Sequence, residues 1–200
     1  MKQKSNKLQA KDLVTIGIFT ALYMVACVIF EVLGGLGPLI WVFMPSFLGL
    51  FCGPIYMTLA GKVQKFGVPL LMGLIPSLIF SVRGGYFFIL IVTALIAGIF
   101  AEWIRKALGY DTEKGNLLSY AVFSLGMVGN LLPIWIFRND FLSNMVVRGM
   151  PEDYVKAMEA ATPLWILFVM IAVTFAAALV GGMIGNTIVK KHLKKAGMVK

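Results

Sequence analysis

Histidine is almost missing from this sequence, with His192 its single instance, and acidic side chains are scarce, nine against eighteen lysines and arginines. Each shortage removes a class of function. There is no Gly-x-x-x-x-Gly-Lys-Ser/Thr loop, so the chain has no cradle with which to bind and hydrolyse ATP by itself. There is no His-Glu-x-x-His, and the serines Ser46, Ser77, Ser81, Ser119 and Ser124 have no histidine to act as their base, because His192 sits in a lysine-rich tail. The two cysteines, Cys27 and Cys52, lie inside apolar runs without metal-ligand spacing and read as small hydrophobes. Neither an enzyme nor a metal or cofactor is expected.

What is present is apolar surface. Sixty per cent of the 200 residues are hydrophobic and 14% are charged, with a mean hydropathy of +0.89. A soluble domain of this length has too little interior to hide that much apolar surface. Crossing about 30 Å of hydrocarbon takes roughly 20 helical residues, and the uncharged runs predict helices over 13–30, 38–61, 66–82, 84–104, 116–137 and 163–189. The Gly37-Pro38 pair marks the start of the second. These runs lack the alternation of a barrel, and open sheets leave backbone groups unpaired in lipid. The expected fold is an all-α polytopic membrane protein, a single domain over 1–200 with six transmembrane helices. Residues 1–11 are basic and lead into the first apolar run without a small-x-small cleavage site, so that run reads as a retained helix.

The charge pattern orients the bundle. Lys2, Lys4, Lys7, Lys11, Lys62, Lys65, Arg105, Lys106, Lys114, Lys190, Lys191, Lys194, Lys195 and Lys200 fall on one side of the six-span scheme, and only Arg83, Arg138, Arg148 and Lys156 on the other. Basic loops stay cytoplasmic, so both termini are expected there. The net charge of +9 then serves topology and anionic lipid headgroups, and no nucleic-acid partner is expected. Glu102 and Arg105 fall at the inner end of the fourth run, and Glu31 and Arg83 at outer ends, which leaves no mid-membrane acid. That argues against the alternative of a stand-alone secondary transporter or channel.

Polar and aromatic residues collect at the outer level. Asn130, Trp135, Arg138, Asn139 and Asp140 close the fifth run, Trp165 opens the sixth, Arg83 and Tyr86 flank a short outer turn, and Trp41 follows the first outer loop. One reading is an interfacial aromatic belt, with Arg138 and Asp140 paired or in headgroups. The other is a pocket in which aromatic faces grip a small molecule while Asn130 and Arg138 fix its polar groups. An amide two turns inside an apolar helix needs a partner, which makes Asn130 the leading candidate. The long outer segment 138–162 has the length of a lid or binding segment, and Pro151-Glu152-Asp153 predicts a short helix within it. On the first helix Gly17-x-x-x-Ala21 permits close helix approach, either inside the bundle or against a separate subunit. Gly181-Gly182-x-x-Gly185 reads as internal packing.

Five stretches, residues 11–23 (KDLVTIGIFTALY), 62–67 (KVQKFG), 117–124 (LLSYAVFS), 132–135 (LPIW) with Arg138, and 190–197 (KKHLKKAG), carry a resemblance to the S components of energy-coupling-factor (ECF) transporters. More narrowly the chain resembles the MptD family of S components, also called Trep_Strep membrane proteins. The resemblance implies a substrate-binding subunit in a bacterial plasma membrane that takes up a micronutrient-like solute at its extracellular face. It further implies docking, through the small residues of the first helix, on a transmembrane T component driven by two ATPase subunits. S components often carry Ala-x-x-x-Ala on that helix; here Gly17 takes the first place.

Overall fold

A computed structural model describes residues 7–82, 86 and 88–194. Among them there is no strand. The helices are α1 (Ala10–Gly34), α2 (Pro38–Val42), α3 (Met44–Phe51), α4 (Gly53–Lys62), α5 (Val68–Ser81), α6 (Phe88–Leu108), α7 (Glu113–Ser124), α8 (Pro133–Ile136), α9 (Arg138–Val147), α10 (Glu152–Ala161) and α11 (Leu164–Ile188), with a 3-10 segment, Leu125–Asn130, after α7.

Three helices are long and apolar enough to cross a membrane: α1, α6 and α11 with its continuation to Lys191. The run over 38–61 is not one helix. Pro38, Pro45 and Pro54 each lie in the first turn of a new helix, where a missing N–H costs nothing, and α3 meets α4 at a 49° bend. Counted as one span, that pair makes four. The run over 66–82 yields the 14 residues of α5, and the run over 116–137 divides into α7, the 3-10 segment and α8. Freedom from charge thus marks these runs as apolar, but proline and glycine interrupt the helices within them. Within the segment 138–162, expected as a long loop with one short helix after Pro151, that helix is α10, with Glu152 and Asp153 in its first turn; α9 is the addition, and the two form a helical hairpin turned at Gly149, whose φ of +89° suits glycine.

The bundle interior is held by small residues and hydroxyls, the means available where lipid removes the hydrophobic drive between helices. A Cβ added at Gly53 would overlap the Gly181 carbonyl, and one at Gly181 the carbonyls of Gly49 and Leu50, so α11 lies backbone to backbone against α3 and α4. Ser46 and Thr174 share a 2.9 Å hydrogen bond across the same contact. The Tyr120 hydroxyl donates to the Gly49 carbonyl at 2.7 Å. Tyr56 donates to Ser119 at 2.6 Å, and Ser119 in turn donates to the Ala101 carbonyl at 2.9 Å.

Arg105 and Glu102 lie toward the end of α6, and that helix packs both side chains into the core, where they are 0% exposed. Arg105 donates Nη2 to the carbonyls of Ala60 (3.3 Å) and Val63 (3.0 Å), which close α4, and Nε to the Asn116 side chain at 2.9 Å. Glu102 accepts the Gly67 N–H at 2.8 Å, at the start of α5, where a carboxylate is favoured by the helix dipole. One guanidinium and one carboxylate therefore join four helices. Near this end also lie the ion pairs Lys65–Asp12, at 2.6 Å, and Lys190–Glu113, at 2.8 Å.

Candidate functional site

At the opposite end of α1 lies a cavity of about 620 Å3, within the range of small-molecule sites. Glu31 and Gly35 from the end of α1, Trp41 from α2, Tyr86 and Phe88 at the start of α6, and Asn130 line it. Asn144 and Arg148 of the α9 end and Tyr154 of α10 line it as well, and Arg148, Gly149 and Met150 are exposed where it opens.

Asn130 is placed by a local unwinding. Thr93 on α6 donates its hydroxyl to the Gly126 carbonyl at 2.8 Å, and a Cβ at Gly129 would collide with that same Thr93 hydroxyl. The two glycines let the chain tighten to 3-10 geometry against α6, so Asn130 ends the segment instead of lying two turns inside a helix. Its amide has no hydrogen-bond partner among the described residues. Asn130 and Glu31 also border a space of about 10 Å3 one turn deeper, lined by Cys27, Met44 and Met127. They form the floor of the larger cavity.

The aromatic residues form a continuous wall. Trp41 and Phe141 have ring centroids 6.0 Å apart, Phe141 and Tyr86 6.3 Å, and Tyr86 is stacked on Phe137 at 4.6 Å and 13°. The Tyr154 hydroxyl donates to the Gly34 carbonyl at 2.8 Å, which ties α10 to the end of α1 beside Trp41. Partial burial raises the Tyr154 pKa above its ordinary value, so this donor stays protonated at neutral pH.

Of the sequence candidates, Asn130, Trp41 and Tyr86 are brought together here. Arg138 lies elsewhere. It donates Nη1 to the Thr162 carbonyl at 2.9 Å and Nη2 to the Glu159 carbonyl at 2.6 Å, and its ion-pair partner is Glu159, at 4.0 Å, instead of Asp140. Trp135 donates its indole N–H to the Pro163 carbonyl at 3.3 Å. Both residues fasten the base of the α9–α10 hairpin. Trp165 is 61% exposed on α11, the position of a belt residue. Arg83 lies outside the described residues. Gly17 and Ala21 are exposed on α1, and a Cβ at Gly17 would meet nothing within 4 Å, so no described helix of this chain uses that notch.

Glu31, Phe141, Asn144, Arg148 and Tyr154 do not stand out as site residues in the sequence. Four of them lie in the 138–162 segment, whose low hydropathy and length are the signal available.

Because Arg138 closes the hairpin base, Arg138→Ala is expected to leave the bundle folded but loosen the hairpin. Faster amide hydrogen exchange confined to α9 and α10 checks this; unchanged exchange contradicts it.

A bundle of apolar helices with a solvent-reaching cavity at one end defines an integral membrane protein. The chain matches, over residues 10–195, the family described as a hypothetical bacterial integral membrane protein (Trep_Strep), and it belongs to that family. No curated protein and no solved structure matches it.

Proposed function

We propose that this chain is the substrate-capture subunit of an ECF-type importer, a non-catalytic S component of a bacterial plasma membrane. It takes a small solute into the cavity at its extracellular face and passes it inward with a T component and two ATPase subunits. The observation that carries this reading is the cavity, about 620 Å3, with its aromatic wall and an Asn130 amide that has no partner among the described residues. Six spans with both termini cytoplasmic belong to the same reading. Support for the orientation comes from Lys11, Lys62, Lys65, Lys106 and Lys190, which fall near the helix ends opposite the cavity. The resemblance to S components supports the division of labour, as does the missing nucleotide loop.

A capture subunit binds its solute without an energy source. The protein purified alone in a mild detergent is expected to carry a small molecule at up to one per chain, detectable by mass spectrometry of the denatured sample and rebound saturably after its removal. A protein that purifies folded, yields no such molecule and binds none from a concentrated extract of its growth medium contradicts the proposal.

A further inference from the structure

The chemistry of the cavity narrows the class of solute, an inference that rests on the capture reading. We infer that the ligand is a compact planar heterocycle that presents a hydrogen-bond donor and acceptor side by side on one ring edge, as in a lactam or a cyclic urea. The edge pairs with the Asn130 amide, and the ring lies against the wall of Trp41 and Phe141.

Two independent observations lead there. The first is Asn130. It faces the cavity and the smaller space beneath it, and its amide has no partner among the described residues. A side-chain amide offers one acceptor and one donor about 2 Å apart, and the group that satisfies both at once is its complement, the pairing by which asparagine reads a base edge in nucleic acids. Such a group is also selected strongly, because an analogue lacking the donor leaves a desolvated amide oxygen unpaired. The second is the shape of the wall. Trp41 and Phe141 are inclined at 33° with centroids 6.0 Å apart, and Phe141 continues to Tyr86. A surface made of ring faces and edges favours a flat ring over an aliphatic chain or a sugar, by offset or tilted stacking. Glu31 and Arg148 are the charged residues among those described at the cavity; Glu31 shares the floor with Asn130, and Arg148 is exposed.

The test uses a matched trio of bicyclic probes: quinazolin-4(3H)-one, which carries the donor–acceptor edge; its 3-methyl derivative, which has lost the donor; and naphthalene, which has neither. Binding to the protein in lipid nanodiscs is measured by equilibrium dialysis, with empty nanodiscs subtracted for partitioning into lipid. Quinazolinone is expected to bind saturably and about tenfold more tightly than its methyl derivative, with naphthalene weakest. Asn130→Leu is expected to bring the first two probes within twofold of one another. Asn130→Asp keeps the side-chain shape and the acceptor but loses the N–H that meets the ring carbonyl, so it weakens the methyl derivative while still preferring quinazolinone to it, even if the leucine variant does not fold. Trp41→Ala weakens all three probes by a common factor. Equal affinities for the three probes in the unaltered protein overturn the inference, as does discrimination that survives at Asn130→Leu, or a methyl derivative held by Asn130→Asp as tightly as by the unaltered protein. A tightly held native solute without a planar donor–acceptor edge overturns it too and leaves the capture reading standing. Failure to bind any small molecule removes both.

Discussion

Arg105→Met is expected to destabilise the protein by about 3–5 kcal/mol, the typical cost of breaking a buried ion pair by removing one partner. The side chain is fully buried, and its loss strands the carbonyls of Ala60 and Val63, the Asn116 oxygen and the Glu102 carboxylate together. Methionine fills much of the volume but offers no donor. For a chain of this size such a change corresponds to roughly a 10 °C fall in Tm, readable by thermal unfolding in detergent. Arg105→Lys is expected to fall between, since an ammonium keeps the charge but lacks the planar fork that reaches both α4 and α7. A Tm unchanged in Arg105→Met contradicts the role assigned to this residue.

Gly17→Leu combined with Ala21→Leu is expected to abolish assembly with the T component while leaving this subunit folded and able to bind. Gly17 and Ala21 are exposed, and a Cβ added at Gly17 meets no described atom within 4 Å, so the notch has room for a larger side chain at its base. Removing a helix-interior glycine also favours α1 by about 1 kcal/mol. Small residues matter at such a place because they let a second helix approach closely, and leucine prevents that. Co-purification with tagged T component checks the expectation. Retention of the complex by the double variant shows that docking uses another face; a lower Tm shows that the notch packs internally after all.

Some features of the fold are plain in the sequence and others are hidden for identifiable reasons. Helices α1, α6 and α11 stand out because they are uninterrupted and apolar on every side, so hydropathy alone finds them. The glycines of α11 are recognisable from spacing, since Gly181 and Gly185 lie one turn apart and face the same neighbour. The breaks are harder. Pro45 and Pro54 lie within one apolar run, each in the first turn of a new helix, and hydropathy averages across these breaks. At Asn130 the unwinding depends on a contact between Thr93 and Gly126, 33 residues apart, which no local pattern reveals. Arg105 reads as a basic loop residue because its charge marks a membrane boundary in a hydropathy scan. Its partners come from α4, the α4–α5 connection and α7, and only the folded chain brings them to it. Arg138 shows the converse: charge and position make it a ligand candidate, but carbonyls of α10 and its end already occupy its donors. The cavity itself is half legible. Trp41, Tyr86 and Asn130 are recognisable as outer polar and aromatic positions, whereas Phe141 and Tyr154 reach the cavity only through the folding of the hairpin that carries them, and Glu31 joins the site only through that fold.

Capture without self-driven transport is tested most directly by uptake in reconstituted proteoliposomes. The labelled solute that co-purifies with the protein is supplied outside vesicles containing this chain alone, or this chain with the T component and both ATPase subunits and internal ATP. Accumulation is predicted only in the complete set, and only with ATP. Accumulation by this chain alone, with or without an ion gradient, contradicts the capture role and makes the protein a carrier in its own right.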